Sequence, residues 1–318
     1  MTATSVDTRV PERRGLRTHE SHAGFRRRSR SDLGIALVFV APALIGFVLF
    51  YLVPTIRGIY LSFTKYSTLS FADPKWVGTA NYEAIAKDPL FWNALGVTLE
   101  YVVINIALQT ALALGLALLM HRVAKSTIIR GALLLPYLMA NVIAALLWFW
   151  MLDYQIGIVN QVIEWIGLPR VAFFGSEEWA IPTQALINTW RHMGYTALLI
   201  FAGLQAIPNH LYEAAHLDGA SSAQAFRKIT MPLLRPVLVL VLVVTVIGSF
   251  QVFDTVAVTT QGGPINASRV MQYYIFQRAF TQHDFGYGSA LAVILFVILA
   301  LVAFIQMKFL RGNESDLD

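Results

Sequence analysis

The chain contains no cysteine. Disulfides, thiolate metal sites and cysteine nucleophiles are therefore excluded. Charge is also scarce: Asp, Glu, Lys and Arg make up 14% of the 318 residues, against 56% apolar types. That balance lies far outside the soluble range and predicts membrane spans. No Gly-x-x-x-x-Gly-Lys-Ser/Thr string occurs, so no phosphate-binding loop of that kind is expected. Gly-x-Ser-x-Gly is missing too, and the 7 His are scattered without the spacing of a metal site. The expectation is no enzyme, no catalytic residue, no metal and no cofactor in this chain.

What the chain has in excess is apolar sequence in long blocks. A helix needs about 20 residues to cross a bilayer. Six segments are long enough: Leu33–Val53, Gly96–Met120, Gly131–Leu152, Ile181–Ala206, Pro236–Val258 and Phe285–Met307. The predicted fold is an all-α integral membrane protein with six transmembrane helices. Pro42, Gly46, Pro136 and Gly248 fall inside these segments, which membrane helices tolerate. The predicted division is a basic cytoplasmic tail over 1–32, a six-helix domain over 33–310 and a cytoplasmic tail over 311–318. Leu33–Leu52 runs 20 residues without a charge, longer than the core of a secretory signal, and reads as an uncleaved first span.

Orientation follows from Lys and Arg. The net charge is +5 and the pI about 9.4. With the N-terminus inside, 16 of the 24 Lys and Arg fall in inner segments, 7 in outer loops, and Arg191 within a span. The positive-inside rule then predicts a multi-pass protein of the cytoplasmic (inner) membrane with both termini in the cytoplasm. The basic tail reads as a disordered topogenic segment, with binding to anionic membrane lipid as the alternative. No nucleic-acid partner is expected. In the first outer loop, Tyr82, Ile85, Leu90 and Trp92 predict a short interfacial helix or an aromatic belt.

Polar groups inside spans are costly unless paired or wetted, so each is a candidate functional residue. In span four, Asn188, Arg191, His192 and Tyr195 recur at i, i+3, i+4 and i+7 and share a helix face. That face is expected to line a cavity. Alternatively, Arg191 pairs with an acid such as Glu100 or Asp254 and only ties helices together. Span five ends with Gln251 and Asp254 one turn apart. Span three offers Asn141, Trp148 and Trp150; the tryptophans also suit a membrane-interface belt, and Asn141 a bond to a neighbouring helix. Amides and carboxylates supply the paired donors and acceptors that hydroxyl-rich ligands need.

The loop between spans four and five, over 207–235, has a different character. It reads Glu213-Ala-Ala-His-Leu-Asp-Gly-Ala220, then Phe226-Arg-Lys-Ile-Thr-Met-Pro232. Two short helical pieces are expected to meet at Asp218-Gly219, with Gly in the left-handed position that ends a helix. Ser221 or Ser222 can cap the second piece, and Pro232 is expected to stop it. Ala214 and Ala215 keep one face thin enough for a partner groove. The spaced set Glu213, Ala214, Ala215, Asp218, Gly219, Ala220, Phe226, Ile229 and Pro232 resembles the coupling loop of ATP-binding-cassette importer permeases. The Asn81-Tyr82 and Phe91-Trp92 pairs, and Phe253-Asp254 followed by Thr260-Gln-Gly-Gly-Pro264, are similar to the carbohydrate-uptake members.

The resemblance implies a permease subunit that moves a carbohydrate by alternating access. A separate ATPase dimer would bind the ATP and magnesium, and a second permease subunit and an extracytoplasmic solute-binding protein would complete the system. It implies coupling through the 213–232 residues and a mid-membrane sugar pathway through Asn141, Asn188, Arg191, His192, Tyr195, Gln251 and Asp254. The cargo is expected to be a di- or oligosaccharide, an amino sugar or a glycerol-phosphate derivative; a neutral sugar comes first, and Arg191 and His192 leave the phosphate derivative open. The rival is an ion-coupled secondary transporter with Asp254 and His192 as relay. A non-transporting scaffold is a third reading, which leaves the span-four stripe and the 213–232 loop without purpose.

Overall fold

A computed structural model describes residues 30–69, 73–122 and 127–311. Most of the 1–32 and 311–318 tails therefore lies outside the described residues. The chain divides into two compact units at Pro54–Thr55.

The first unit holds α1 (Arg30–Phe47), which passes into a π turn at Val48–Leu52. Its apolar side chains, among them Val38, Phe39, Phe50 and Tyr51, are exposed, as a lipid-facing segment requires. α2 (Val53–Ser62) carries the unit boundary, and the candidate crossing here runs Leu37–Ser62, beyond the expected Val53.

The second unit opens with a small feature absent from the sequence reading. β1 (Thr64–Lys65) pairs antiparallel with β2 (Lys75–Trp76), Thr64 opposite Trp76. α3 (Ala80–Ala86) is the short helix expected in the first outer loop. Its Ile85 is buried in the core rather than laid on a membrane surface, and Asn81 Nδ2 bonds the carbonyls of Ser62 and Thr64. Leu90 and Trp92 belong to the next helix and stay exposed.

The long elements follow. They are α4 (Pro89–Arg122), α5 (Thr127–Leu138), α6 (Asn141–Met151), α7 (Ile158–Trp165) and α8 (Glu177–Gln205). Next come α9 (Asn209–Leu217), α10 (Ser222–Ala225), a π turn at Phe226–Thr230, α11 (Met231–Phe250) and α12 (Asp254–Thr259). α13 (Met271–Phe276), a π turn at Gln277–Thr281 and α14 (Phe285–Arg311) close the chain. Helix occupies all six predicted windows. Among the described residues, four helices are long and apolar enough to cross a membrane, five with the bent pair α5–α6. α8 has the length, at 29 residues, but the polar residues of its middle lower its apolarity.

Two expectations about individual spans are corrected. Gly131–Leu152 is not one rod: α5 and α6 meet at 92° across Met139–Ala140. Pro136 lacks the N–H that a continuing helix needs, and Ala140 is extended at φ −62°, ψ 142°. Pro232 does not stop a helix. The Phe226–Thr230 π turn leads directly into α11, and Pro232 lies in the first turn of α11, where a missing N–H is tolerated. Span five breaks instead at its far end, where α11 stops at Phe250 and α12 starts at Asp254.

Two apolar clusters lie along the α4–α8–α11 bundle. One gathers Tyr101, Val102, Ile181, Phe250, Met271 and Leu291 near α3 and α13; the other gathers Ala113, Ala117, Ala197, Ile200, Leu234 and Val241 toward α9. In lipid, water exclusion adds little, and close packing through small residues holds helices together. Gly194 is the extreme case. A Cβ there would lie 1.8 Å from the Leu133 carbonyl oxygen, so α5 rests on bare α8 backbone.

Candidate functional site

Between the two apolar clusters, the same three helices turn polar. On α4, Asn105 and Gln109 are buried one turn apart. Asn105 Nδ2 donates to Ser249 Oγ at 2.8 Å, and its Oδ1 accepts from Asn188 Nδ2 at 2.9 Å. Gln109 Nε2 donates to Thr196 Oγ1 at 2.9 Å, and Ser249 Oγ donates to the Thr245 carbonyl at 2.7 Å. Asn105 is thus a hub joining α4, α8 and α11. Each amide hydrogen or oxygen committed here avoids the penalty of an unpaired buried polar group.

This network forms the floor of a cavity of about 340 Å³. Its walls come from α4, the α5–α6 break, α8 and the α11–α12 break. Six expected pathway residues line it: Asn141, Asn188, His192, Tyr195, Gln251 and Asp254. Gln251 and Asp254 face the cavity even though they are separated by the helix break rather than stacked on one helical turn. Asn141 Nδ2 donates to Asp254 Oδ2 at 2.6 Å and so ties the start of α6 to the start of α12. Tyr195 stacks on Tyr137, centroids 4.4 Å apart, which gives the wall an aromatic face.

Arg191 is the exception. It does not line the cavity, and it makes no ion pair with Glu100 or Asp254 among the described residues. Its Nε and Nη2 donate to the Met139 carbonyl at 3.0 and 2.9 Å, and Nη2 reaches the Tyr137 carbonyl at 3.1 Å. Nη1 lies 2.9 Å from His192 Nε2. A broken helix leaves its last carbonyls without partners, and a guanidinium with five donors is suited to collect them. The sequence reading placed Arg191 correctly on the span-four face but not at this task.

Trp148 packs edge-on against Trp190, and Trp150 is exposed. Asn105, Gln109, Thr196, Thr245, Ser249 and Tyr137 were not anticipated. The amide pair in α4 carried the same signal as span four, polar residues one turn apart in an apolar helix.

The 207–235 segment is built as expected around its turn. α9 ends at Leu217, and Gly219 adopts φ +75°. Ser221 caps α10 in a capping box with Gln224. Glu213, Ala214 and Asp218 are exposed, as is Leu217. Ala215, Asp218, Gly219, Ala220 and Ile229 line a recess of about 360 Å³. Phe226 lines a second, about 200 Å³, on which Tyr212 bonds Thr230 at 2.9 Å and holds α9 to the π turn.

At the other end of the bundle, Asp88 precedes α4. It accepts from Tyr274 and Tyr287 hydroxyls and from the Leu90 amide, and Arg278 lies 3.9 Å over the Tyr287 ring. Burial alone would push the Asp88 carboxyl up, but these hydrogen bonds and the Arg278 charge hold it below the ordinary carboxylate value.

Comparisons with known proteins agree with this architecture. A permease of Agrobacterium fabrum, described as the sulfoquinovosyl glycerol transport system permease SmoG, is 35% identical over 96% of this chain and 100% of its own. The trehalose/maltose transport system permease MalF of Thermococcus litoralis is 30% identical over 88% of this chain and 95% of its own. A bacterial ABC transporter for import of the acidic polysaccharide alginate shares the fold at a TM-score of 0.77, with 23% identity over 89% of this chain and 96% of that one. Residues 109–312 match the family described as binding-protein-dependent transport system inner membrane components, and the chain belongs to that family as a multi-pass permease subunit.

Proposed function

We propose that this permease subunit imports a carbohydrate by alternating access, driven by a separate ATPase dimer and supplied by an extracytoplasmic solute-binding protein. The observation that carries the reading is the mid-bundle cavity, whose Asn141, Asn188, Gln251, Asp254 and Tyr195 present amides, a carboxylate and an aromatic ring to one space. That set suits hydroxyl groups and the apolar face of a sugar ring. The names of the trehalose/maltose relative and of an arabinooligosaccharide permease from Bacillus subtilis, 30% identical over 90% of this chain, support a saccharide cargo. A second permease subunit closes the pathway, as the family resemblance implies.

In this reading the 207–235 hairpin docks on the ATPase. Glu213 offers a charge, Ala214, Ala215 and Ala220 allow close approach, and Asp218-Gly219 makes the turn. Phe226, Ile229 and Pro232 fix the hairpin to α11. Both termini and this hairpin lie in the cytoplasm, with six crossings over 33–310. The motor acts only if its two states contact the hairpin differently. The ion-relay alternative finds no support in the geometry: His192 faces the Asn188 carbonyl and Arg191, and Asp254 is bonded by Asn141. The test is co-purification. A nucleotide-hydrolysing subunit is expected to accompany the tagged chain and to be lost on Glu213→Lys with Leu217→Asp; retention by that variant would remove the docking assignment.

A further inference from the structure

We propose that Asp254 acts as a charge filter in the cavity, so that the pathway takes neutral hydroxyl-rich saccharides and rejects acidic ones. The inference rests on the saccharide pathway proposed above and narrows its cargo.

Among the described residues of the cavity wall, Asp254 is the one carboxylate, and no Lys or Arg is present. Arg191, next to His192 on α8, is not among the lining residues and places four of its five N–H donors on the Tyr137 and Met139 carbonyls and on His192. His192 is also spent. A guanidinium only donates, so Nε2 must accept; a carbonyl only accepts, so Nδ1 must donate to Asn188 at 2.9 Å. The ring is therefore neutral, and a second proton on it would set N–H against N–H. One Nη1 hydrogen is left over, so neither base presents the paired donors that a phosphate, sulfonate or uronate takes.

Asp254 Oδ2 accepts a bond from Asn141 Nδ2 at 2.6 Å, which holds the carboxylate at the cavity wall. Oδ1 has no further partner among the described residues and is available to a ligand hydroxyl. In a space walled partly by Leu199, Val241 and Val244, screening is weak, so a second anion near Asp254 is repelled more strongly than in water. Specificity here comes from the repulsive element as much as from the attractive one.

The experiment uses the complete transporter in nanodiscs without its binding protein, so that the permease cavity alone selects. Ligand binding is titrated by tryptophan fluorescence with a panel of neutral mono-, di- and trisaccharides and their matching C6 uronates. The best neutral sugar is expected to bind at least tenfold more tightly than its uronate, a difference of about 1.4 kcal/mol. Asp254→Asn, nearly isosteric, is expected to narrow that gap to within threefold by strengthening the uronate. Gln251→Glu, which adds a carboxylate to the wall, is expected to widen it. Equal binding of neutral and acidic sugars by the unaltered protein overturns the filter and leaves the saccharide reading standing, as does an unchanged ratio in both variants. Binding of no saccharide, by a complex that still hydrolyses ATP, overturns both.

Discussion

The α9–α10 hairpin and the central cavity are built by opposite means. The hairpin is short, exposed and dominated by local contacts: a left-handed glycine, a capping box and a hydrogen bond from Tyr212 to Thr230. The cavity is assembled from residues far apart in the chain, with Asn105 bonding Asn188 and Ser249 across 83 and 144 positions. On the proposed reading the hairpin grips a separate motor, and such a surface has to stay free of internal partners. A site that must hold its shape within lipid has to satisfy most of the polar groups it buries. Damage to the first region should therefore uncouple the protein without unfolding it, whereas damage to the second should cost stability.

The largest separation is expected at Gly219. Gly219→Asp and Gly219→Pro are predicted to abolish uptake while leaving membrane insertion and thermal stability near normal. A Cβ at Gly219 meets nothing within 4 Å, so the cost is the φ of +75°, which bends the hairpin rather than jamming it. Uptake assays paired with thermal unfolding check this; normal uptake by both variants breaks the distinction. Next comes Arg191→Ala, which orphans the carbonyls at the α5 break. A loss of about 3 kcal/mol in stability is expected, from charge-assisted hydrogen bonds and the carbonyls left behind, with Arg191→Lys recovering part of it. Asn105→Ala should cost about 1 kcal/mol, in line with hydrogen bonds between membrane helices. A double-mutant cycle with Asn188→Ala should show coupling between the two; strict additivity would remove the hub.

The smallest effect is a pH dependence at Asp88. Its folded carboxyl titrates below the ordinary value, so its stabilising contribution is complete above the ordinary carboxylate range. The contribution fades as pH falls through the lowered folded value. Asp88→Asn should lower the melting temperature at neutral pH and flatten the acid limb, so that the two curves converge as pH falls.

Sequence made some of this legible and hid the rest for physical reasons. The hairpin could be read because its signals are local: Gly219 ends α9, and Ser221 with Gln224 starts α10. Apolar blocks marked all six helical windows, because length and hydropathy are properties of the segment itself. The 92° bend in span three could not be read from Pro136, since membrane helices absorb many prolines without breaking. Nor could the role of Arg191, because its partners are backbone carbonyls, which no residue type advertises. Pro232 misled for the converse reason: a π turn carried the chain past it. Asn105 and Gln109 were readable in principle by the rule that singled out Asn188 and His192.

The most direct test of the account is solute accumulation in sealed vesicles made with and without the ATPase subunits. With the full set of partners and internal ATP, vesicles are predicted to accumulate a neutral saccharide, and vesicles holding this chain and its partner permease alone are predicted to accumulate none under a proton or sodium gradient. Gradient-driven accumulation in the absence of any ATPase would contradict the account.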